Sequence, residues 1–230
     1  MSKNQEFNHG IICGIDEAGR GPVLGPMVIC GVCYFETDLK LLSEIGVKDS
    51  KKLTPIKRTE LAKIIKTQCK GYKTIVVSAQ EIDEREKKRI TLNKLEEIKM
   101  AEIIETLKPN VTYIDAADVN EVRFGNSIKK LLKFSTTKII SKHKADDLYP
   151  IVSASSIIAK VTRDNIIEEL KKIYGEIGSG YPSDMRTIKF LREWIIQKKK
   201  TPPFARNSWE TTKKIIREEI SNTKITDFVK

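Results

Sequence analysis

The chain has 230 residues, with 42 lysines and arginines against 31 aspartates and glutamates, for a formal charge of +11. A hydrophobic content of 40% is enough for a folded core, and charges of mixed sign argue against global disorder. No apolar run reaches the roughly eighteen residues that span a membrane, and the polar stretch Met1 to Gly10 does not read as a signal peptide, so a cytoplasmic protein is expected.

In chain order, residues 11–17 (Ile-Ile-Cys-Gly-Ile-Asp-Glu) read as a buried strand that ends in two adjacent acids. The glycine-bearing turn Gly19-Arg20-Gly21 follows, and residues 24–35 read as a second, long strand, expected to be the antiparallel neighbour of the first. Thr54 as N-cap and Pro55 at the first helical position open a helix with Ile56, Leu61, Ile64 and Ile65 on its apolar side. Residues 73–79 read as a third strand. A charged segment from Glu81 to Arg89 runs into a helix carrying Leu92, Leu95, Ile98, Ala101, Ile104 and Leu107, which Pro109 stops. Val111 to Asp115 is a fourth strand, again with an acid at its end. A helix near 120–133 and a strand near 137–141 follow.

After Pro150 a helical pattern runs to about Tyr174. Its first turns carry Ser153, Ala154, Ser155, Ser156 and Ala159, small residues that permit close approach to a sheet. Residues 175–182 form a glycine-bearing loop. Two basic amphipathic helices, 184–199 and 208–221, are separated by Thr201-Pro202-Pro203. The order suggests an α/β sheet with an antiparallel part and a helical C-terminal piece, without internal repeats.

The positive excess suits a polyanionic partner, nucleic acid before an anionic membrane surface; the alternative is a solvated lysine-rich face. Four acids fall at strand ends or in loops: Asp16, Glu17, Asp115 and Asp146. Clustered carboxylates repel one another unless something positive sits between them, usually Mg²⁺ or Mn²⁺ with oxygen ligands. Two such ions about 3.5–4 Å apart activate a water and steady a leaving oxygen in phosphodiester hydrolysis. Each acid alone reads more readily as a surface residue or a helix cap. No Gly-x-Ser-x-Gly occurs, and the histidines are His9 and His143 alone. Cys13, Cys30, Cys33 and Cys69 read as free thiols; Cys30-x-x-Cys33 has no second pair at metal spacing. Gly19-x-Gly21 lacks the third glycine of a dinucleotide fingerprint, position 24 being Leu.

Several blocks resemble the ribonuclease HII family. They are Ile15-Asp16-Glu17-Ala18-Gly19-Arg20-Gly21-Pro22, then Lys48-Asp49-Ser50-Lys51-Lys52-Leu53 with Lys57-Arg58, and Tyr113-Ile114-Asp115-Ala116. His143-Lys144-Ala145-Asp146 continues through Val152 to Asp164, and Gly178-Ser179-Gly180-Tyr181-Pro182-Ser183-Asp184 follows. Pro202-Pro203-Phe204-Ala205-Arg206-Asn207-Ser208-Trp209 is similar to the archaeal branch. Ser155 departs from the pattern, since many relatives carry Ala there, and this is expected to touch packing alone.

The resemblance implies a metal-dependent endonuclease that cuts the RNA strand of RNA–DNA hybrids. It would also cut on the 5′ side of single ribonucleotides embedded in duplex DNA, leaving 3′-hydroxyl and 5′-phosphate ends, and so serve ribonucleotide excision repair and DNA replication. Asp16, Glu17, Asp115 and Asp146 would hold Mg²⁺ or Mn²⁺, with two ions during catalysis. Gly19, Arg20 and Gly21 would read the 2′-hydroxyl, Tyr181 would stack on the sugar beside the cut, and Lys51 would contact phosphate.

The implied fold is a ribonuclease H-like domain over residues 1–182, a mixed five-stranded sheet flanked by helices. A helical C-terminal segment, 183–230, packs on or beside it. Asp16 would lie mid-sheet and Asp115 on the adjacent strand. A monomer is the default, without heptads in the sequence, and the tail 224–230 reads as a frayed end before it reads as a docking point for a partner such as a replication clamp.

The residues agree with this picture where they can. A glycine turn offers backbone groups to a 2′-hydroxyl, the group that distinguishes RNA from DNA at one nucleotide. An aromatic between Gly180 and Pro182 suits stacking or packing equally. Arg163-Asp164 reads as a structural ion pair slightly before a substrate contact, and Lys198-Lys199-Lys200 with Lys213-Lys214 as a solvated basic face that also meets phosphates. The rivals are a nuclease of the same superfamily acting on all-DNA junctions and a nucleic-acid-binding module without catalysis.

Overall fold

The computed structural model describes residues 10–47, 53–133 and 137–228, with the backbone alone from 220 onward. Five strands form one sheet: β1 (Ile11–Ala18), β2 (Met27–Phe35), β3 (Gly71–Val77), β4 (Val111–Asp115) and β5 (Lys138–Lys142). Their order is β3-β2-β1-β4-β5, so β1 is central. β4 is parallel to β1 in a register that pairs Ile15 with Ile114, and parallel to β5 in a register that pairs Asp115 with Lys142. β1 and β2 are buried almost throughout, as their apolar composition requires of strands covered on both faces.

The helices are α1 (Leu39–Glu44), α2 (Pro55–Gln68), α3 (Ala79–Lys87), α4 (Leu92–Leu107), α5 (Glu121–Leu131), α6 (Ala145–Leu148), α7 (Pro150–Tyr174), α8 (Met185–Lys198) and α9 (Glu210–Phe228). α2 starts as its sequence dictates: the Thr54 hydroxyl accepts from the N–H of Lys57, and Pro55 occupies the first helical turn. The charged segment after β3 is itself a helix, α3, which Ser78 caps through the N–H of Glu81. Its short length and sparse apolar residues hid it, although Ala79 and Ile82 are buried. β2 begins at Met27 and not near residue 24. Leu24 instead makes an isolated antiparallel bridge with Ala205, a long-range contact that local patterning cannot announce.

The described chain divides into two compact units that interleave in sequence. The first comprises the chain through Glu17, Ile29–Ile75 and Glu96–Val161. It is built on close approach of helices to the sheet. A Cβ on Gly14 would lie 2.3 Å from the carbonyl oxygen of Ile151, and one on Gly31 would lie 2.4 Å from the Ile103 side chain. Glycine at these two points lets α7 and α4 settle against the strands. Ser155 adds a tie: its hydroxyl donates to the carbonyl of Gly14 at 2.7 Å. Cys13, Cys30 and Cys33 are buried free thiols, as the sequence suggested, and Cys69 is partly exposed.

The second unit comprises Ala18–Val28, Val76–Leu95 and the chain from Thr162 onward. Its apolar cluster joins Val23 and Leu24 to Ile167, Ile177, Leu191, Ile195, Phe204 and Ile215. Tyr174, Phe190 and Trp194 pack at the edge of this cluster, with Tyr174 and Phe204 centroids 4.8 Å apart. Among the described residues, no helix is long and apolar enough to cross a membrane.

Candidate active site

The acids of the first unit lie at the ends of the two central parallel strands and in the helix that follows the third. Ile15 pairs with Ile114, so one step further along the register brings Asp16 and Asp115 abreast on β1 and β4. Asp146 enters from α6, where Lys144 turns the chain through a left-handed conformation (φ 53°) just ahead of it. The Asp115 carboxylate accepts the N–H of Ala145 at 2.7 Å and so fixes the start of that short helix. Glu121 holds the other side of the loop, accepting from the Lys142 ammonium and from the N–H of His143 at 3.0 Å. His143 is spent on this loop as well: its Nε2 lies 3.2 Å from the carbonyl of Val119.

Asp16 is buried, and its carboxyl accepts the N–H of Glu17 at 2.7 Å. Loss of hydration pushes its pKa up to about 7, and the charges of Asp115 and Asp146 push in the same direction. Ser156 on α7 opposes the rise. Its hydroxyl is buried without a hydrogen bond of regular geometry, yet it stabilises the Asp16 carboxylate electrostatically. Glu17 is half-buried at the next position of β1.

Three carboxyls within electrostatic reach of one another, one of them desolvated, make a charge imbalance that a hard cation with oxygen ligands relieves. Among the described residues, no three Asp, Glu, His or Cys side chains are grouped closely enough to hold a metal ion by themselves. Mg²⁺ ordinarily takes one or two carboxylates and completes its shell with water and substrate phosphates. The donor set therefore fits a cation whose coordination the substrate completes.

The second unit contains the turn that follows the acids. Gly19 has φ 84°, and a Cβ there would lie 2.4 Å from the Arg163 side chain, so no other residue fits. The space beside Gly21 is open. The Arg20 side chain bonds Asn93 through its guanidinium. Tyr181 leaves a loop that is tied at every step. The carbonyl of Gly180 accepts from Val23 and Leu24 at 2.8 and 3.1 Å, the N–H of Gly180 donates to Thr187, and the N–H of Ser179 donates to Asp184. The Arg186 guanidinium, with the N–H of Ser179, holds the Asp184 carboxyl well below the usual carboxylate range.

Arg163 feels the charge of Asp164 and has further partners. Its guanidinium is buried, donates to the carbonyl of Ser179 at 3.2 Å and lies 5.0 Å from the Tyr181 ring centroid. Tyr181 itself is partly exposed and so keeps a ring face for a ligand. The basic face of the last helix is partly neutralised, since Lys213 faces Glu86 and Glu210 while Lys214 faces Glu218. Lys51 and its motif from Lys48 to Lys52 lie outside the described residues.

Sequence reasoning missed Arg206. It is fully buried, and its three guanidinium nitrogens donate to the carbonyls of Gly19, Arg20 and Gly25 at 2.6, 2.9 and 3.1 Å. An arginine beside two prolines and a tryptophan carries no pattern of burial, and the contact spans more than 180 positions. The signal that could have found it was its place in the block ending at Trp209.

Comparison with known proteins identifies the family and the fold. The ribonuclease HII family model matches residues 13–212. Ribonuclease HII of Methanococcus maripaludis (strain C7) is 49% identical over 234 residues, covering 100% of this chain and 97% of the relative. The crystal structure of ribonuclease H2 from Pyrococcus horikoshii OT3 superposes with a TM-score of 0.86 at 46% identity, over 91% of this chain and 99% of that one. Ribonuclease HII of Archaeoglobus fulgidus, solved in complex with PCNA, gives a TM-score of 0.81 at 41% identity, over 89% and 96%. The mixed five-stranded sheet with its flanking helices is the ribonuclease H-like fold of these neighbours. By the family model and by identity over its full length, the chain belongs to the ribonuclease HII family, hydrolases of the RNA strand of RNA–DNA hybrids.

Proposed function

We propose that the protein cuts hybrids and also duplex DNA that carries a single ribonucleotide, on the 5′ side of that ribonucleotide, leaving a 3′-hydroxyl and a 5′-phosphate. The observation that carries this reading is the repulsion of Asp16 by Asp115 and Asp146, with Asp16 three residues upstream of a turn that begins with Gly19. Asp16, Glu17, Asp115 and Asp146 are the residues that would hold Mg²⁺ or Mn²⁺. Bound there, two such cations supply Lewis-acid polarisation of the phosphate and lower the pKa of an attacking water.

The chain's own part is recognition and orientation. Backbone groups of Gly19, Arg20 and Gly21 hydrogen-bond the 2′-hydroxyl, which requires close approach of backbone to sugar. Tyr181 stacks on the neighbouring sugar, its ring backed by the Arg163 guanidinium. Lys51 meets a phosphate, and the lysine-rich surface adds contacts that hold the duplex without reading its sequence. The likeness to the A. fulgidus enzyme solved with PCNA supports a second reading, of partnership with a replication clamp.

The test is a panel of a long RNA–DNA hybrid, a duplex with one ribonucleotide and an all-DNA four-way junction, with the product ends analysed. Cleavage of the first two with 5′-phosphate ends is expected. Cleavage of the junction would move the protein to the resolvase reading, and binding to all three without cleavage in either metal would make it a binding module.

A further inference from the structure

The Gly19-Arg20-Gly21 turn is held from one side by a single short segment of the chain. The carbonyls of Gly19 and Arg20 accept from the two terminal nitrogens of Arg206 at 2.6 and 2.9 Å. The carbonyl of Gly21 accepts the indole N–H of Trp209 at 3.3 Å. Every carbonyl of the turn is therefore pulled toward residues 206–209. In a trans peptide the C=O and the N–H point to opposite sides. The N–H groups of Arg20 and Gly21 belong to the peptides whose carbonyls Arg206 holds, so they face away from it. A Cβ on Gly21 would meet nothing within 4 Å, so the turn is open at that residue.

The segment is itself anchored. The Asp83 carboxylate on α3 accepts from the N–H of Asn207 at 2.7 Å and from the N–H and hydroxyl of Ser208 at 2.9 and 2.7 Å. Arg85 donates to the Ser208 hydroxyl at 2.8 Å, and its guanidinium lies 5.0 Å from the Trp209 ring centroid, with that of Arg206 at 4.9 Å. A chain of contacts runs from α3 through residues 206–209 to the turn.

We propose that Arg206 and Trp209 are positioning residues for ribonucleotide recognition, holding the three carbonyls of the turn so that its N–H edge is fixed toward the 2′-hydroxyl. The inference rests on the reading of this turn as the 2′-hydroxyl sensor. A stability role alone is a poor account of Arg206. Its charge is fully buried, and its three guanidinium nitrogens bond backbone carbonyls. Desolvation and the neighbouring charge of Arg163 pull its pKa down to about 9. A well-packed apolar side chain would stabilise such a site at less cost. What an apolar side chain cannot do is satisfy three carbonyls at once, and lysine, whose three donors share one nitrogen, cannot reproduce the three separate positions of the planar fork.

The experiment uses Arg206→Lys and Trp209→Phe in the full chain, assayed on duplex DNA with one ribonucleotide. Arg206→Lys should lower kcat about 30-fold with KM within about threefold, because the interaction is realised in the oriented complex. Trp209→Phe, which keeps the ring and loses one N–H, should lower it by roughly threefold to tenfold. The decisive readout is binding in an Asp16→Asn background. The parent should prefer the ribonucleotide-bearing duplex over all-DNA duplex, and Arg206→Lys should lose that preference while its affinity for all-DNA duplex holds.

Amide hydrogen exchange at Arg20 and Gly21 should accelerate in both variants. Equal weakening on both duplexes would mark a structural residue and overturn the inference, as would unchanged preference and kcat in a folded Arg206→Lys. If Arg206→Lys does not fold, Trp209→Phe carries the same test. A parent that shows no preference would sink the underlying reading of the turn, whereas a parent with the preference and unaffected variants would sink this inference alone.

Discussion

The N–H of Ala145 donates to the Asp115 carboxylate at 2.7 Å, and this bond ties the strand end that carries one acid to the helix that carries another, Asp146. Asp115 thus has two separable tasks: its charge, and the acceptor that places α6. Asp115→Asn keeps an acceptor and should abolish cleavage, by at least about a thousandfold, with little loss of thermal stability. Asp115→Ala removes both, and should lower the stability further by about 1 kcal/mol, which is about 2–4 °C in Tm for a chain of this size. Thermal unfolding of the two variants beside the parent checks the difference.

Asp16 gives the metal-free protein a pH dependence of definite sign. Its pKa is raised from an ordinary value of 3.8 to about 7 in the folded chain, so the folded state binds the proton more tightly than the unfolded state. The stability this group contributes is full below about pH 4 and is lost as pH rises toward 7. In chelator, Asp16→Asn should therefore gain Tm relative to the parent at pH 7.5, and the gain should shrink at pH 5. Millimolar Mg²⁺ or Mn²⁺ should raise the parent's Tm at pH 7.5 and leave Asp16→Asn nearly unmoved. A parent indifferent to both metals would count against the acids as their site.

Gly14 lies two residues before Asp16, and a Cβ there would meet backbone atoms of Ile151 and Val152 at 2.3 to 2.6 Å. Backbone cannot give way as a flexible side chain can. Gly14→Ala should force α7 from β1, with a loss of about 3 kcal/mol or more. Activity should fall further than stability explains, because Ser156 faces Asp16 from that same helix. Denaturant unfolding and turnover at a temperature where the variant stays folded separate the two effects.

Tyr181 is predicted to act through its ring. Tyr181→Phe should keep most of the activity on a single ribonucleotide, and Tyr181→Ala should lose roughly tenfold to a hundredfold, in line with about 1–3 kcal/mol for a stacked ring. Equal losses in both variants would assign the role to the hydroxyl.

The elements legible in the sequence are those with a local cause. Thr54 and Pro55 announced α2, Pro109 ended α4, and acids at the ends of apolar runs marked β1 and β4. Their union on adjacent strands was not legible from periodicity, since strand order is a matter of distant pairing; it entered through the family resemblance. α3 was passed over because a nine-residue segment with two buried apolar side chains among charged and polar ones shows little periodicity. The start of β2 was placed too early because the Leu24–Ala205 bridge takes Leu24 out of the strand. The burial of Arg206 and the carbonyl partner of Arg163 escaped the sequence for a common reason. A buried arginine is satisfied by carbonyls that distant segments supply, and side-chain chemistry alone predicts it on the surface.

The central claim is tested most directly on labelled duplex DNA carrying one ribonucleotide, incubated with Mg²⁺, Mn²⁺ or chelator, with all-DNA duplex and the Asp16→Asn protein alongside. A single cut 5′ of the ribonucleotide is predicted, absent in chelator, absent from the all-DNA control and reduced by at least about a thousandfold in Asp16→Asn. Undiminished cutting by Asp16→Asn, or cutting of the all-DNA duplex, would contradict the account.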